Sequence, residues 1–384
     1  MVSFRVIIFI YYICHKIPLN GINLSAYSSV GLDLGSMLTM AVSGSSQKCY
    51  VMTLGITPYI TSSLILMIAQ ALRSKEAKAR TSPKNMQYWM TGIAFAIAVL
   101  QSILYARDIV YMDERIFTRI VVVFELICGA CIAQNLLLWN QKYGVGGFAP
   151  IICVNMCEGL VSTLFGASFD EIWIPMLISV IMIIVMIFME LHEKKIPLQR
   201  VSVHNIHADK NYLAIKYNPV GFMAIMFGSA FFTIPQVLIG LAHILWKKNE
   251  IISWWANNLT LNTTFGMAFY IVLLFVLNIL LSLLFVNPWD LSESLLYGGD
   301  VIVNVRAGKP TRNYILKWVM ILSCISGLVM CGCLSVSFYL QTNGIVSNKY
   351  AMLPSTFMML SGLICSLYLE IKAYKSFDSY KRFI

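Results

Sequence analysis

The sequence predicts an all-α membrane protein: ten transmembrane helices in two pseudo-symmetric, inverted halves, with one re-entrant segment held between them. Three observations carry this. Hydrophobic residues fill 58% of 384 positions and Asp, Glu, Lys and Arg only 12%, about half the charged share of a soluble domain. Apolar stretches of membrane-spanning length recur along the chain, without the period-2 alternation of barrel strands. The basic residues concentrate on alternate connections between those stretches. Mean hydropathy is +0.74. Too few polar side chains remain to coat a water-facing surface, which excludes an ordinary soluble enzyme, a disordered chain and a disulfide scaffold.

The apolar segments lie near 2–18, 51–72, 87–107, 117–139, 148–167, 172–191, 219–245, 265–286, 313–339 and 350–370. The first is short. One basic residue precedes its apolar run and no small-residue cleavage site follows, so it reads as a retained crossing and not a cleaved leader. The stretch from Leu34 to Cys49 is only mildly apolar and carries Gly35, Ser36, Ser43, Gly44, Ser45 and Ser46. It is too short and too polar to span, and so should re-enter the bundle inside protein. The second crossing opens on Gly55-Ile56-Thr57-Pro58, the seventh on Asn218-Pro219-Val220-Gly221. Interruptions at corresponding places in residues 1–171 and 172–384 are the pattern of an inverted repeat with its working site between the halves. Two ordinary kinks would look the same at this level.

Charge orients the bundle. With the N-terminus in the cytoplasm, the inside stretches hold 20 of the 28 Lys and Arg residues and the outside stretches 8. This predicts cytoplasmic N- and C-termini. Trp246, Trp254 and Trp255 fall in an outside loop, as an interfacial belt would place them. Two inside loops, 192–217 and 287–312, exceed what a tight connection needs, and such loops are binding surfaces more often than spacers. The net charge of +10 reflects this sidedness; no basic run lies on a soluble-looking domain, so nucleic acid is not expected as a partner.

No catalytic constellation, cofactor motif or metal site is expected. Cys128-x-x-Cys131 lies in an apolar run, where cysteine packs helices. His204-x-x-His207 lacks further ligands, and the Gly144–Gly147 and Gly298-Gly299 pairs lack the Walker lysine. Glu125 and Glu158 fall at membrane depth, where an ionisable group is a functional hypothesis by default. Because the helix interiors are otherwise almost free of charge, a hydrated cavity wall or a neutral, protonated acid is the reading preferred over an ion-coupling role.

Several stretches, in order, resemble the SecY protein-conducting channel family: His15-Lys16-Ile17-Pro18-Leu19-Asn20-Gly21-Ile22; Ser43-Gly44-Ser45 followed by Leu54-Gly55-Ile56-Thr57-Pro58-Tyr59-Ile60-Thr61-Ser62-Ser63; Leu100-Gln101-Ser102; Lys216-Tyr217-Asn218-Pro219-Val220-Gly221; and Asn287-Pro288 through Val305-Arg306-Ala307-Gly308-Lys309-Pro310-Thr311. The departures, including a shortened Asn140–Gly147 turn and a compact 192–217 loop, are similar to the accessory SecY branch of Gram-positive bacteria. A housekeeping SecY channel is the alternative, and a secondary small-solute transporter a more distant one.

The resemblance implies an hourglass pore in the bacterial cytoplasmic membrane, with an apolar waist of Ile56, Ile60, Ile152, Met156, Ile225 and Met359. It implies a plug over about 34–46, including Gly35, Ser43, Gly44 and Ser45. Ser62, Ser63 and Gln101 would lie at a lateral gate opening to membrane lipid, where crossings two and three face seven and eight. Arg306, Lys309 and Arg312 would contact a SecA-type ATPase, in this branch an accessory SecA. A SecE-like small membrane subunit, or its accessory equivalent, would clamp the channel. The substrate would be a secreted preprotein, in the accessory branch a serine-rich glycoprotein adhesin. The chain itself would be no enzyme but a passive channel. Without the resemblance, the six waist residues read as ordinary helix packing.

Overall fold

The computed structural model describes residues 2–22, 50–71, 73, 82–109, 111–112, 115–165, 169–200, 212–245, 250–259, 263–343, 350 and 352–380. Among these, each of the ten apolar segments holds a helix: α1 (Val2–His15), α2 (Thr57–Ala71), α3 (Pro83–Asp108), α4 (Ile116–Tyr143), α5 (Ala149–Leu164), α6 (Phe169–Leu191), α7 (Met223–Leu245), α9 (Thr264–Val286), α11 (Lys309–Thr342) and α12 (Leu353–Tyr380). Two further helices are α8 (Glu250–Asn258) and α10 (Pro288–Gly298).

Among the described residues, six helical stretches are long and apolar enough to cross a membrane: Lys84–Arg107, Ile116–Tyr143, Glu171–Leu191, Thr264–Gly298, Lys309–Thr342 and Leu353–Ser376. The apolar stretches Val6–His15, Ala149–Val161 and Met223–Ile239 are shorter among the described residues. Turns interrupt the 51–72 segment. Residues 50–56 form turns, with Gly55 N–H donating to the Met52 carbonyl at 3.0 Å and Gly55 at φ +52°. Helix begins only at Thr57, where Pro58 fits the first turn because its missing N–H has no intrahelical acceptor there.

The outward surface is apolar. On α6, Trp173, Leu177, Ile181, Ile184 and Phe188 are exposed at helical spacing, while Ser179, Met182, Met186 and Glu190 are buried. A helix polar inward and greasy outward takes lipid as its solvent. Inside the bundle, α2 packs on α3, α3 on α4, and α1 on α4 and α5. Further along, α6 packs on α12, and α9 on both α7 and α11. The two groups meet where α2 and α3 abut α7 and where α5 abuts α12.

The long loops 192–217 and 287–312 do not stand apart. They share a three-stranded antiparallel sheet of order β2-β1-β3, from β1 (Glu193–Arg200), β2 (Tyr212–Lys216) and β3 (Asp300–Ile302). Ile196 pairs with Leu213 and Leu198 with Ile302. Ile196, Ile215 and Ile302 bury their side chains with Leu295, Ile315, Val319 and Leu322 of α10 and α11. The apolar residues at 196 and 198, and at 213 and 215, are a period-2 signal easily hidden among the neighbouring lysines and tyrosine. Asn287 at φ +41° joins α9 to α10, which opens on Pro288 and ends at Gly299 at φ +70°.

Candidate functional site

Six apolar side chains from four separate parts of the chain lie in the main buried core of the bundle. Ile56 lies directly before α2, and not on the helix as its motif implied; Ile60 follows in the first turn, its N–H donating to the Ile56 carbonyl at 3.0 Å. Ile152 and Met156 stand one turn apart on α5. Ile225 lies in the first turn of α7, and Met359 on α12. None of the six is more than 1% exposed. The same core takes in residues from most of the helices, among them Tyr11, Leu137, Leu274 and Leu334. Asn155, on the same helix as Ile152 and Met156, donates through Nδ2 to the Tyr11 hydroxyl of α1 at 2.9 Å.

Of the polar residues expected at a gate, Ser62 and Gln101 are buried and Ser63 is half-buried. Ser62 Oγ donates to the Met90 carbonyl at 2.7 Å, tying α2 to α3, and Ser63 Oγ donates to the Ile60 carbonyl of its own helix at 2.8 Å. Neither bond crosses to α7. Gln101 is buried beside the fully buried Ser102 on α3. The expected plug residues Gly35, Ser43, Gly44 and Ser45 lie outside the described residues.

Arg306 and Lys309 are exposed on the turn between β3 and α11. Asn304 at φ +65° shapes this turn, and Thr311 Oγ1 closes it by donating to the Arg306 carbonyl at 2.8 Å. Arg312 points elsewhere: its guanidinium stands 5.6 Å from the Trp289 ring centroid, a cation–π contact that fixes α10 against α11. The exposed cations of this turn are therefore Arg306 and Lys309.

Glu125 and Glu158 do not join the apolar cluster. Both hold the segment that follows α1. Glu125 Oε2 accepts from the Asn20 backbone N–H at 3.0 Å. Glu158 pairs with Lys16 and stands 3.8 Å from His15 Nε2. That hydrogen bond holds the Lys16 ammonium above its ordinary pKa. Gly129, one turn beyond Glu125, lets the Val51 backbone approach α4 where any Cβ would collide with the Val51 carbonyl.

One residue escaped the sequence reading. Glu190, near the end of α6, is only 3% exposed, and its Oε2 has no hydrogen-bond partner among the described residues. Its carboxylate lies against Gly221, which sits at φ +64°; a Cβ there would come within 2.7 Å of Glu190 Oε1. Gly221 turns the chain from the sheet into α7, four residues before Ile225. The place of Gly221 two residues after Pro219 was the signal available; the carboxylate was hidden at a segment end.

Apolar side chains that line a narrow passage exclude water, and with it ions, while flexible ones can yield. A family profile described as SecY matches residues 50–365. The accessory Sec system protein translocase subunit SecY2 of Streptococcus agalactiae is 26% identical over 373 residues, covering 94% of this chain and 90% of that protein. The protein of the same name from Leuconostoc gelidum subsp. gasicomitatum is 22% identical over 356 residues, covering 88% and 84%. Among solved structures, one titled "The structure of a protein conducting channel" aligns with a TM-score of 0.66 at 14% identity, covering 97% of this chain and 92% of that one. Sec61 in the canine ribosome-channel complex aligns at 0.61 with 13% identity and the same coverage. These structures share the fold.

Proposed function

Since the chain belongs to the SecY family, we propose that it is the central subunit of a protein-conducting channel of the accessory Sec type, exporting polypeptides across the bacterial cytoplasmic membrane. One observation supports this above the others: residues 56, 60, 152, 156, 225 and 359, far apart in sequence, all lie in the main buried core with no more than 1% exposure each. In this reading they are the waist of the pore, closed at rest. Ile60, Ile152 and Met156 stand on short helices preceded by turns, and Ile56 in the turn before α2, as expected of a wall lining a cavity within protein.

The ten helices that match the apolar segments cross the membrane, N- and C-termini inside, as two halves at 1–171 and 172–384. The contacts of α2 and α3 with α7 form the lateral gate, and the plug lies within 34–46. Arg306 and Lys309, on a turn framed by Gly308 and Pro310, present positive charge to an acidic surface of a SecA-type motor; the ATPase chemistry belongs to that partner. A SecE-like subunit clamps the two halves. The substrate is a secreted preprotein, in this branch a serine-rich glycoprotein adhesin.

The test places a photo-crosslinking amino acid at Met359 and stalls a secreted chain during export. A crosslink at Met359, and none from the lipid-facing Ile184, is the expected result. A translocating chain that never touches position 359 would overturn the assignment of the waist.

A further inference from the structure

The outside loop between α7 and α9 carries a feature that the channel reading leaves unused. Helix α8 spans nine residues, Glu250–Asn258, and is apolar on the wrong side for a soluble helix. Ile251 is 68% exposed, Trp254 51% and Trp255 38%. Their spacing of i, i+3, i+4 puts all three on one face, and that face looks away from the protein. On the other side α8 is fixed. Leu259, just past its end, is buried in the main apolar cluster, and Gln236 Nε2 of α7 donates to the Leu259 carbonyl at 3.1 Å. Thr263 donates to the Asn258 carbonyl and caps α9 by accepting from the Gly266 N–H at 3.2 Å. The helix is thus held rigidly with its tryptophans outward.

The outward face does not end with α8. Trp254 and Trp255 pack edge-on at 5.6 Å, and Phe265 of α9 meets them at 5.5 and 5.9 Å. From Phe265 the exposed apolar stripe runs on down α9 through Phe269, Val272 and Val276. That stripe belongs to a membrane-crossing stretch, Thr264–Gly298, and faces lipid. The aromatic triad is therefore the outer end of a lipid-facing surface. Tryptophan suits the boundary there: its ring buries apolar area while its indole N–H needs an acceptor, which the headgroup layer supplies.

We propose that α8 is an interfacial anchor. It lies in the membrane plane, with Ile251, Trp254, Trp255 and Phe265 seated at the headgroup–acyl boundary of the outer leaflet. Through the Gln236–Leu259 bond it fixes the outer end of α7, the helix that carries Ile225. The inference rests on α7 and α9 spanning the bilayer and is independent of what the channel conducts.

The test uses the full chain reconstituted in lipid vesicles. Trp254 and Trp255 are two of eight tryptophans, so their emission is taken as the difference between wild type and a Trp254→Phe/Trp255→Phe variant. Phenylalanine keeps the aromatic packing, and circular dichroism checks that the variant folds. The difference emission should be quenched by lipids brominated high on the acyl chain, less by lipids brominated near its end, and little by aqueous iodide. Strong iodide quenching would place the face in water. Protection from both quenchers would mean that protein covers it. Either result overturns the anchor, and neither touches the pore, which crosslinking at Met359 tests separately.

Discussion

Replacing Ile225 by serine probes the waist directly. The side chain is fully buried, so filling the constriction with water would expose nearly all of it. Moving an isoleucine side chain from an apolar site into water costs about 1.5–3 kcal/mol. A serine hydroxyl removes that resistance. The water-filled state should become about 10- to 150-fold more populated, at about 1.36 kcal/mol per decade, and ion flow through the resting channel should rise by a similar factor. Liposomes loaded with a potassium-sensitive dye report the leak. Ile56→Ser should behave alike, since Ile56 is equally buried. Val276→Ser, at a position 53% exposed on the lipid face, is the control and should leave the vesicles tight. If Ile225→Ser leaks no more than Val276→Ser, an apolar seal at this place is refuted.

Charge reversal at Arg306 should abolish motor-driven export while leaving membrane insertion and thermal stability intact; normal export of a reporter preprotein would remove Arg306 from the motor contact. Asn278 joins α9 to α11 by donating to the Ser323 carbonyl at 2.8 Å and Ser326 Oγ at 3.0 Å, so Asn278→Leu should cost about 0.6–2 kcal/mol of stability. It should lower the melting temperature in detergent without opening a leak. Gly221→Ala should destabilise by about 1–2 kcal/mol through the left-handed backbone alone; an unchanged melting temperature would show that this turn is not fixed. Lys16, held above its ordinary pKa of 10.5 by Glu158, contributes stability below pH 10.5 that is lost as pH rises through the elevated value. The stability gap between wild type and Glu158→Gln should therefore close at strongly alkaline pH. It will be modest, because Lys16 is 49% exposed.

The helices were legible because the bilayer imposes a one-dimensional rule: a segment must be apolar over its full length or it cannot cross. Residues 117–139 and 265–286 obey it, and helices stand there. Where a segment faces protein, the rule weakens. Residues 51–56 are as apolar as a crossing, yet their buried turns satisfy one another, so α2 starts late. The sheet was missed because its strands are short and their alternating isoleucines and leucines lie among lysines.

The assignment of the proposed waist residues rests on motif and not on pattern, since nothing in their spacing separates Ile225 from any other packed isoleucine. Sequence by itself determined the solvent of this protein, because hydropathy is a local property of each side chain. Tertiary structure alone decided which groups share a neighbourhood: that residues 56, 152, 225 and 359 are all drawn into the main buried core, that Arg312 turns to Trp289 and leaves Arg306 and Lys309 exposed, that Glu190 faces Gly221, and that the tryptophans of α8 point outward. Such juxtapositions depend on how helices pack across long separations in the chain, and a one-dimensional periodicity carries no record of that packing.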